Sequence, residues 1–339
     1  STAMDALFGD LDPWTREAPP LNGSDPPYHT RLRKLVNRAF TPRRVASLEL
    51  HLREMVQRLI APLAARGAGD LIRDLAIPLP IVAIAELLGI PPDKYPDFKR
   101  WTEDLVKGVN WPTLPPEERV QVRRSITEVR AHFQAVIETY RKHPGDNLLS
   151  DMIRAEEENQ TLSSEEVLSL AVLVLFGGAE TTTNLIGNAV LALLDHPDEL
   201  AKVRANPALV PNLVEEALRY EAPVQLFPRR TTQEVEVAGT VLPAETVVVA
   251  LFGSANHDES KFPQPERFDI LRNADGHLAF GFGIHFCLGA QLARLEARVA
   301  VGMWLEQFPY WSRSDAPIRR LASSVARGIE TLPLVVKAP

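Results

Sequence analysis

The chain of 339 residues contains one cysteine, so no intrachain disulfide and no multi-cysteine metal site can form. It lacks an apolar run of the roughly 20 residues that cross a bilayer as a helix. The longest candidate, Leu168 to Ala179, falls short, and no secretory signal pattern is visible. The expectation is a cytoplasmic protein without a membrane span. Positive charge is not in excess: the net charge of −7 argues against a nucleic-acid partner. There is no Gly/Ser-rich linker, no dividing charge block and no internal repeat. Residues 1–339 are therefore read as a single domain, although length alone would favour two. With 45% apolar and 24% charged residues, the composition suits a large core and not disorder.

What is present is helical periodicity. Amphipathic patterns run through His29–Phe40, Arg43–Ala65, Pro80–Leu88, Pro116–His143, Ser163–Leu194, Glu199–Asn206, Val210–Tyr220 and Leu288–Gln307. Strand-like segments are few: Glu234–Val237, Thr246–Phe252 and Thr331–Val336. Most of the 28 prolines punctuate segment ends. The expected fold class is mainly α with a small β component. Ser163 and Glu166 form a capping box that starts one helix, and Pro197 ends its pattern. That helix spans roughly 30 residues, or about 45 Å. Its middle is apolar nearly all round, so it should be buried.

The most specific stretch is Phe280-Gly281-Phe282-Gly283-Ile284-His285-Phe286-Cys287-Leu288-Gly289. It delivers the only cysteine to the start of the last long helix, where the dipole and unpaired N–H groups favour a thiolate. Gly281, Gly283 and Gly289 remove side chains where a flat macrocycle comes close to the backbone. A lone cysteine is more often a buried packing residue. A dinucleotide loop is the other alternative, but the third glycine and the preceding strand are missing. The whole pattern resembles the cysteine-ligand loop of the cytochrome P-450 family. That resemblance implies the family fold, with a long buried helix over haem b (iron protoporphyrin IX) and Cys287 as the iron ligand. It also implies that Phe280 shields the sulfur and His285 binds a haem propionate. A thiolate ligand pushes electron density onto the iron and favours O–O cleavage.

The long helix carries Gly177-Gly178-Ala179-Glu180-Thr181-Thr182-Thr183 at its middle. Two interior glycines cost about 1 kcal/mol each relative to alanine, and three β-branched residues follow. Thr181 can bond back to the Gly177 carbonyl and open the helix locally. A packing notch beside a solvated glutamate is the plainer alternative. By resemblance, Glu180 and Thr181 form a catalytic acid–alcohol pair that relays protons to dioxygen, and Gly177 and Gly178 belong to the cofactor site. The family often has a larger residue at the position of Ala179.

Glu216 and Arg219 lie three apart on a helix, a spacing that is worth little by itself. The stretch Phe262-Pro263-Gln264-Pro265-Glu266-Arg267-Phe268 resembles the family's proline-rich segment, whose arginine, here Arg267, closes a structural charge triad with Glu216 and Arg219. His29 and Arg33 share a helix face and match the family's propionate-binding pair. Arg229 matches its propionate arginine before the Gln233–Val237 strand. The adjacent Arg230 is the competing choice, and spacing to the strand favours Arg229. Each of these cations taken alone reads equally as a solvated surface residue.

The resemblance runs from about Asp25 to the C-terminus with every landmark in order. Family members usually carry further helices and a β-hairpin before the His29–Phe40 helix, so the expectation is a fold lacking that part, with an exposed strand edge. The implied activity is monooxygenation of a small hydrophobic substrate by O2. Electrons would come from a ferredoxin-type donor with its reductase, since no flavin or nicotinamide motif is present. The substrate would lie against Leu173, Phe176, Gln225, Leu226 and Phe227. The acid-free basic run from His29 to Arg44 reads either as a solvated face or as a docking patch for that acidic donor. The alternatives are a peroxide-driven haem-thiolate enzyme and a truncated, non-catalytic binding protein.

Overall fold

The computed structural model describes residues 18–108, 114–157, 160–323 and 325–337. In chain order the helices are α1 (Tyr28–Ala39), α2 (Pro42–Ser47), α3 (Glu49–Arg66), α4 (Pro78–Leu87), α5 (Tyr95–Lys107), α6 (Pro116–Lys142), α7 (Leu148–Arg154), α8 (Ser164–Asp195), α9 (Pro197–Ala205), α10 (Val210–Tyr220), α11 (Phe252–Ala255) and α12 (Ala290–Gln307). The strands are β1 (Ala68–Asp70), β2 (Glu156–Glu157), β3 (Gln160–Thr161), β4 (Leu226–Arg230), β5 (Val235–Val237), β6 (Thr240–Leu242), β7 (Val247–Leu251), β8 (Tyr310–Arg313), β9 (Arg319–Arg320), β10 (Ile329–Thr331) and β11 (Pro333–Lys337). Helices dominate, as the periodicity predicts.

The chain divides into two compact units, each made of three separated stretches. The first comprises residues up to Ala39, Pro96–Phe176 and Leu226–Leu251; the second comprises Phe40–Tyr95, Gly177–Gln225 and Phe252 onward.

In the first unit, α6 buries Val122, Ile126, Val129, Phe133 and Ile137 along one face. Helix α5 is held to α6 by the Trp101 indole N–H, which donates to Glu128 at 3.1 Å, and by Ser125, which donates to Asp104 at 2.6 Å. The periodicity missed α5 because Pro91, Pro92 and Pro96 crowd its start. It missed α7 because that helix has seven residues. Strand β4, also unforeseen, pairs antiparallel with β7 in the register Leu226↔Leu251 through Arg230↔Val247. Arg229 thus lies inside β4, ahead of β5, the strand expected over Gln233–Val237. Among the described residues β7 pairs only with β4, and Val247, Val249 and Leu251 are exposed.

In the second unit, α12 packs on α3 and α10 and buries Leu292, Leu295, Val299 and Trp304. The sequence pattern suggests one helix from Arg43 to Ala65, but Leu48 separates α2 from α3. A three-stranded antiparallel sheet has the order β1-β11-β8.

Helix α8 starts on the expected capping box. The Ser163 N–H donates to Glu166 Oε2 at 2.8 Å, and the Glu166 N–H donates to Ser163 Oγ at 3.2 Å. It stays helical over 32 residues without opening at Gly177. By length and composition it is apolar enough to cross a membrane, contrary to the run-length reading. Yet 61% of its most apolar window is buried inside the protein, so it is packed as a core helix.

Candidate active site

Cys287 sits in the second unit, two residues before the Gly289 cap of α12, and it is exposed. The Cys287 N–H donates to the Phe280 carbonyl at 2.9 Å, which closes the loop on itself. Gly281 and Gly283 have φ of +70° and +74°, values that L side chains resist. A Cβ on Gly283 would meet nothing within 4 Å, and one on Gly289 would lie 4.0 Å from Cys287 Sγ. The loop presents Phe282 (83% exposed), Ile284 (52%) and Phe286 (40%) beside the cysteine, with half-buried His285 in the turn between them. Large apolar side chains clustered at the surface call for a partner. An apolar macrocycle carrying a cation that accepts one sulfur ligand fits this surface. Among the described residues no three His, Cys, Asp or Glu side chains gather to hold a bare metal ion.

The acid–alcohol segment of α8 also lies in the second unit. Thr181 Oγ1 donates to the Gly177 carbonyl at 2.7 Å, as expected from a β-hydroxyl one turn on. An added Cβ at Gly177 would meet nothing within 4 Å, whereas one at Gly178 would strike Ile84 of α4 at 2.5 Å. Gly178 therefore admits a close helix contact and Gly177 leaves open space. Burial raises the pKa of Glu180, because the charged form loses hydration.

The expected charge triad forms with a different third member. Arg219 grips Glu216 in a fork, Nε–Oε2 and Nη2–Oε1 both at 2.8 Å, and both side chains are fully buried. The Arg267 guanidinium does not join them. It is 56% exposed, and its nearest carboxylate is Asp269 at 4.0 Å. Arg267 contributes its carbonyl, which accepts from Arg219 Nη2 and Arg272 Nη2, each at 3.2 Å. Arg272, 11% exposed, reaches Glu216 Oε1 at 3.3 Å and also donates to the carbonyls of Pro263 and Gln264. The Asp269 N–H completes the shell of Glu216 at 3.0 Å. The turn aims the side chain five residues later at the glutamate, and no spacing rule predicts that.

The remaining candidates divide between the units. In the first, His29 is buried and Arg33 half-buried on α1. Burial lowers the His29 pKa, the Arg33 charge adds to this, and Asp25 opposes it. Arg229 lies over the Phe227 ring at 5.1 Å and donates to the Pro228 carbonyl, while Arg230 pairs with Glu245 at 3.2 Å. Leu173, Phe176, Leu226 and Phe227 are half-buried. Within the basic run, Lys34 and Arg38 are exposed, but Arg31 is tied to Glu166. In the second unit, the Gln225 amide nitrogen donates to the Ala222 carbonyl at 2.7 Å, and its amide oxygen fills the space a Gly253 side chain would need. Its polar group is thus engaged in packing. Sequence reading missed a cluster of Glu215, His277 and Arg294 against Phe280. Glu215 beside Glu216 was the available signal.

A cytochrome P-450 family profile matches residues 117–324. The chain is 44% identical over 320 residues to Cytochrome P-450 107B1 of Saccharopolyspora erythraea, covering 93% of this chain and 77% of that protein. It is 40% identical to 6-deoxyerythronolide B hydroxylase of the same organism, covering 92% of this chain and 76% of that one. The solved structure of CYP109Q5 from Chondromyces apiculatus superposes with a TM-score of 0.89 at 42% identity, covering 96% of this chain and 81% of that one. A lone exposed cysteine at a helix start, a glycine-opened loop and a buried glutamate–arginine fork thus stand in a chain with these relatives: it belongs to the cytochrome P-450 family of haem b-binding monooxygenases.

Proposed function

We propose that the protein inserts one oxygen atom from O2 into a small hydrophobic substrate in the cytoplasm, using electrons from a ferredoxin-type donor and its reductase. The observation that carries this reading is Cys287, the only cysteine, exposed at the start of α12 in a loop whose glycines clear the backbone. Haem b supplies, when bound, the activation of dioxygen and the transfer of an oxygen atom.

The side chains of this protein do the rest. Cys287 Sγ would hold the haem iron, as a thiolate favoured by the N–H groups and dipole of α12. Phe280 shields it. His29, Arg33, Arg229 and His285 would hold the haem propionates through charge-assisted hydrogen bonds. The Arg230–Glu245 pair supports Arg229 as the member of its doublet that is open to an anion. Gly177 belongs to the cofactor site, as the open space there supports, whereas Gly178 is taken up by the contact with Ile84. Burial raises the pKa of Glu180, which suits it to carrying a proton into the relay. Thr181 Oγ1 donates its own hydrogen to Gly177 and so keeps lone pairs to accept and pass on that proton.

Leu173, Phe176, Leu226 and Phe227 line the substrate side, with Gln225 shaping it through its packing on Ala222. The relative named 6-deoxyerythronolide B hydroxylase supports hydroxylation as the reaction class. Exposed Lys34 and Arg38 on α1, which has no acidic residue, suit an acidic donor, and docking there weakens as salt rises.

The test is the absorption spectrum of the purified protein, reduced and exposed to carbon monoxide. A strongly red-shifted Soret band, lost in Cys287→Ser, is expected. Failure to bind haem after reconstitution would leave a non-catalytic binding protein as the reading.

A further inference from the structure

Three side chains that no part of the proposed mechanism uses converge on Phe280. Arg294 of α12 and Glu215 of α10 form a fork, Nε–Oε1 at 2.6 Å and Nη2–Oε2 at 2.9 Å. The same carboxylate meets His277 Nε2 at 3.2 Å. The Ala279 N–H donates to His277 Nδ1 at 3.2 Å. Nδ1 is therefore the acceptor, and the ring proton sits on Nε2, donated to Glu215. The Arg294 guanidinium carbon lies 4.5 Å over the Phe280 ring centroid, within cation–π range. His277 packs on the same ring at 5.9 Å, and Phe286 packs on it at 6.2 Å. The Phe280 carbonyl in turn holds the Cys287 N–H. Glu215 stays ionised: burial works to raise its pKa, but the hydrogen bonds from His277 and Arg294 hold it down at about 2.

We infer that Glu215, Arg294 and His277 are positioning residues for Phe280, and that the Glu215–Arg294 pair balances the charge felt by the Cys287 thiolate and so tunes the reduction potential of the bound iron. The inference rests on Cys287 ligating haem. A guanidinium against the shielding ring withdraws electron density from the sulfur, and the carboxylate cancels part of that pull. Charges around a ligand act on redox potential in this way, and partial burial keeps solvent from screening them. His277 fixes the carboxylate in the pose that neutralises the arginine.

The experiment is spectroelectrochemical titration of the haem-loaded protein and four variants, with circular dichroism and thermal unfolding to check folding. Glu215→Gln leaves the cation uncompensated, and its potential shifts up. Arg294→Gln leaves the carboxylate uncompensated, and its potential shifts down. The double variant returns close to the parent, and Glu215→Asp, which keeps the charge, stays close to it. Opposite signs separate charge tuning from a structural role, which moves both single variants the same way. Shifts of one sign, or no shift in either single variant, overturn the inference while the thiolate band of the parent stands. A parent without that band overturns the haem reading and this inference together.

Discussion

Glu296 lies wholly enclosed on α12, and among the described residues neither of its oxygens has a hydrogen-bond partner. Burial pushes its pKa up to about 8 from 4.5, since the charged form leaves water and gains nothing. Well below 4.5 the group is protonated in both states and adds no pH dependence to stability. As pH rises toward 8, the unfolded chain releases the proton that the folded chain keeps. Stability then falls by up to about 1.4 kcal/mol per pH unit. Glu296→Gln should therefore gain more stability at pH 8 than at pH 5 in urea midpoints; equal gains would rule this account out. At Thr181, alanine removes the hydroxyl that passes the proton, and product formed per electron consumed should drop about tenfold or more. An unchanged yield removes Thr181 from the relay. The Glu216 cluster separates two arginines that the sequence does not. Arg272→Ala strips a cation from a buried carboxylate and should cost about 2–3 kcal/mol. Arg267→Ala keeps the carbonyl that matters and should cost about 0.5 kcal/mol or less. Comparable losses in denaturant titrations would restore Arg267 as the third member.

Helix α8 carries both the cap that starts it and the acid–alcohol pair. Ser163→Ala deletes one half of the capping box and should cost about 1 kcal/mol. Glu166→Ala should cost more, because Glu166 also holds Arg31. Urea titration of the two variants measures the difference, and an equal cost would mean the Arg31 contact contributes nothing. The cap and the Thr181 back-bond of α8 were legible in the sequence because each depends on residues within four positions, and its length because the apolar pattern runs unbroken to Pro197. The expected opening at Gly177 was not found. Back-bonding can open a helix, but here packing accompanies an unbroken one: Gly178 abuts Ile84, and the Thr183 hydroxyl donates to the Ala76 carbonyl at 2.8 Å. Helix α5 was illegible for the opposite reason. Its start reads as proline-broken, and contacts with α6 hold it in place.

At the scale of the whole molecule, strand β7 carries a weakly protected edge among the described residues. It runs Val-Val-Val-Ala-Leu with no charge, pairs only with β4 among the described residues, and exposes Val247, Val249 and Leu251. Such an edge invites pairing between copies. Val249→Lys should lower concentration-dependent light scattering while leaving the melting temperature nearly unchanged; scattering that does not fall would acquit this edge. Its partner strand β4 was not legible in the sequence. Sequence by itself determined the helical class, the position of α8, the cysteine loop and the family, because these rest on periodicity, caps, glycines and one invariant chemical fact: a single cysteine. Only the tertiary structure decided that Arg272 and not Arg267 reaches Glu216, that the Gln225 amide is engaged in packing, and that Glu215 and Arg294 meet across 79 residues of chain. Long side chains reach several Å from their backbone, so their partners are chosen by where distant segments fold, and no local pattern records that choice.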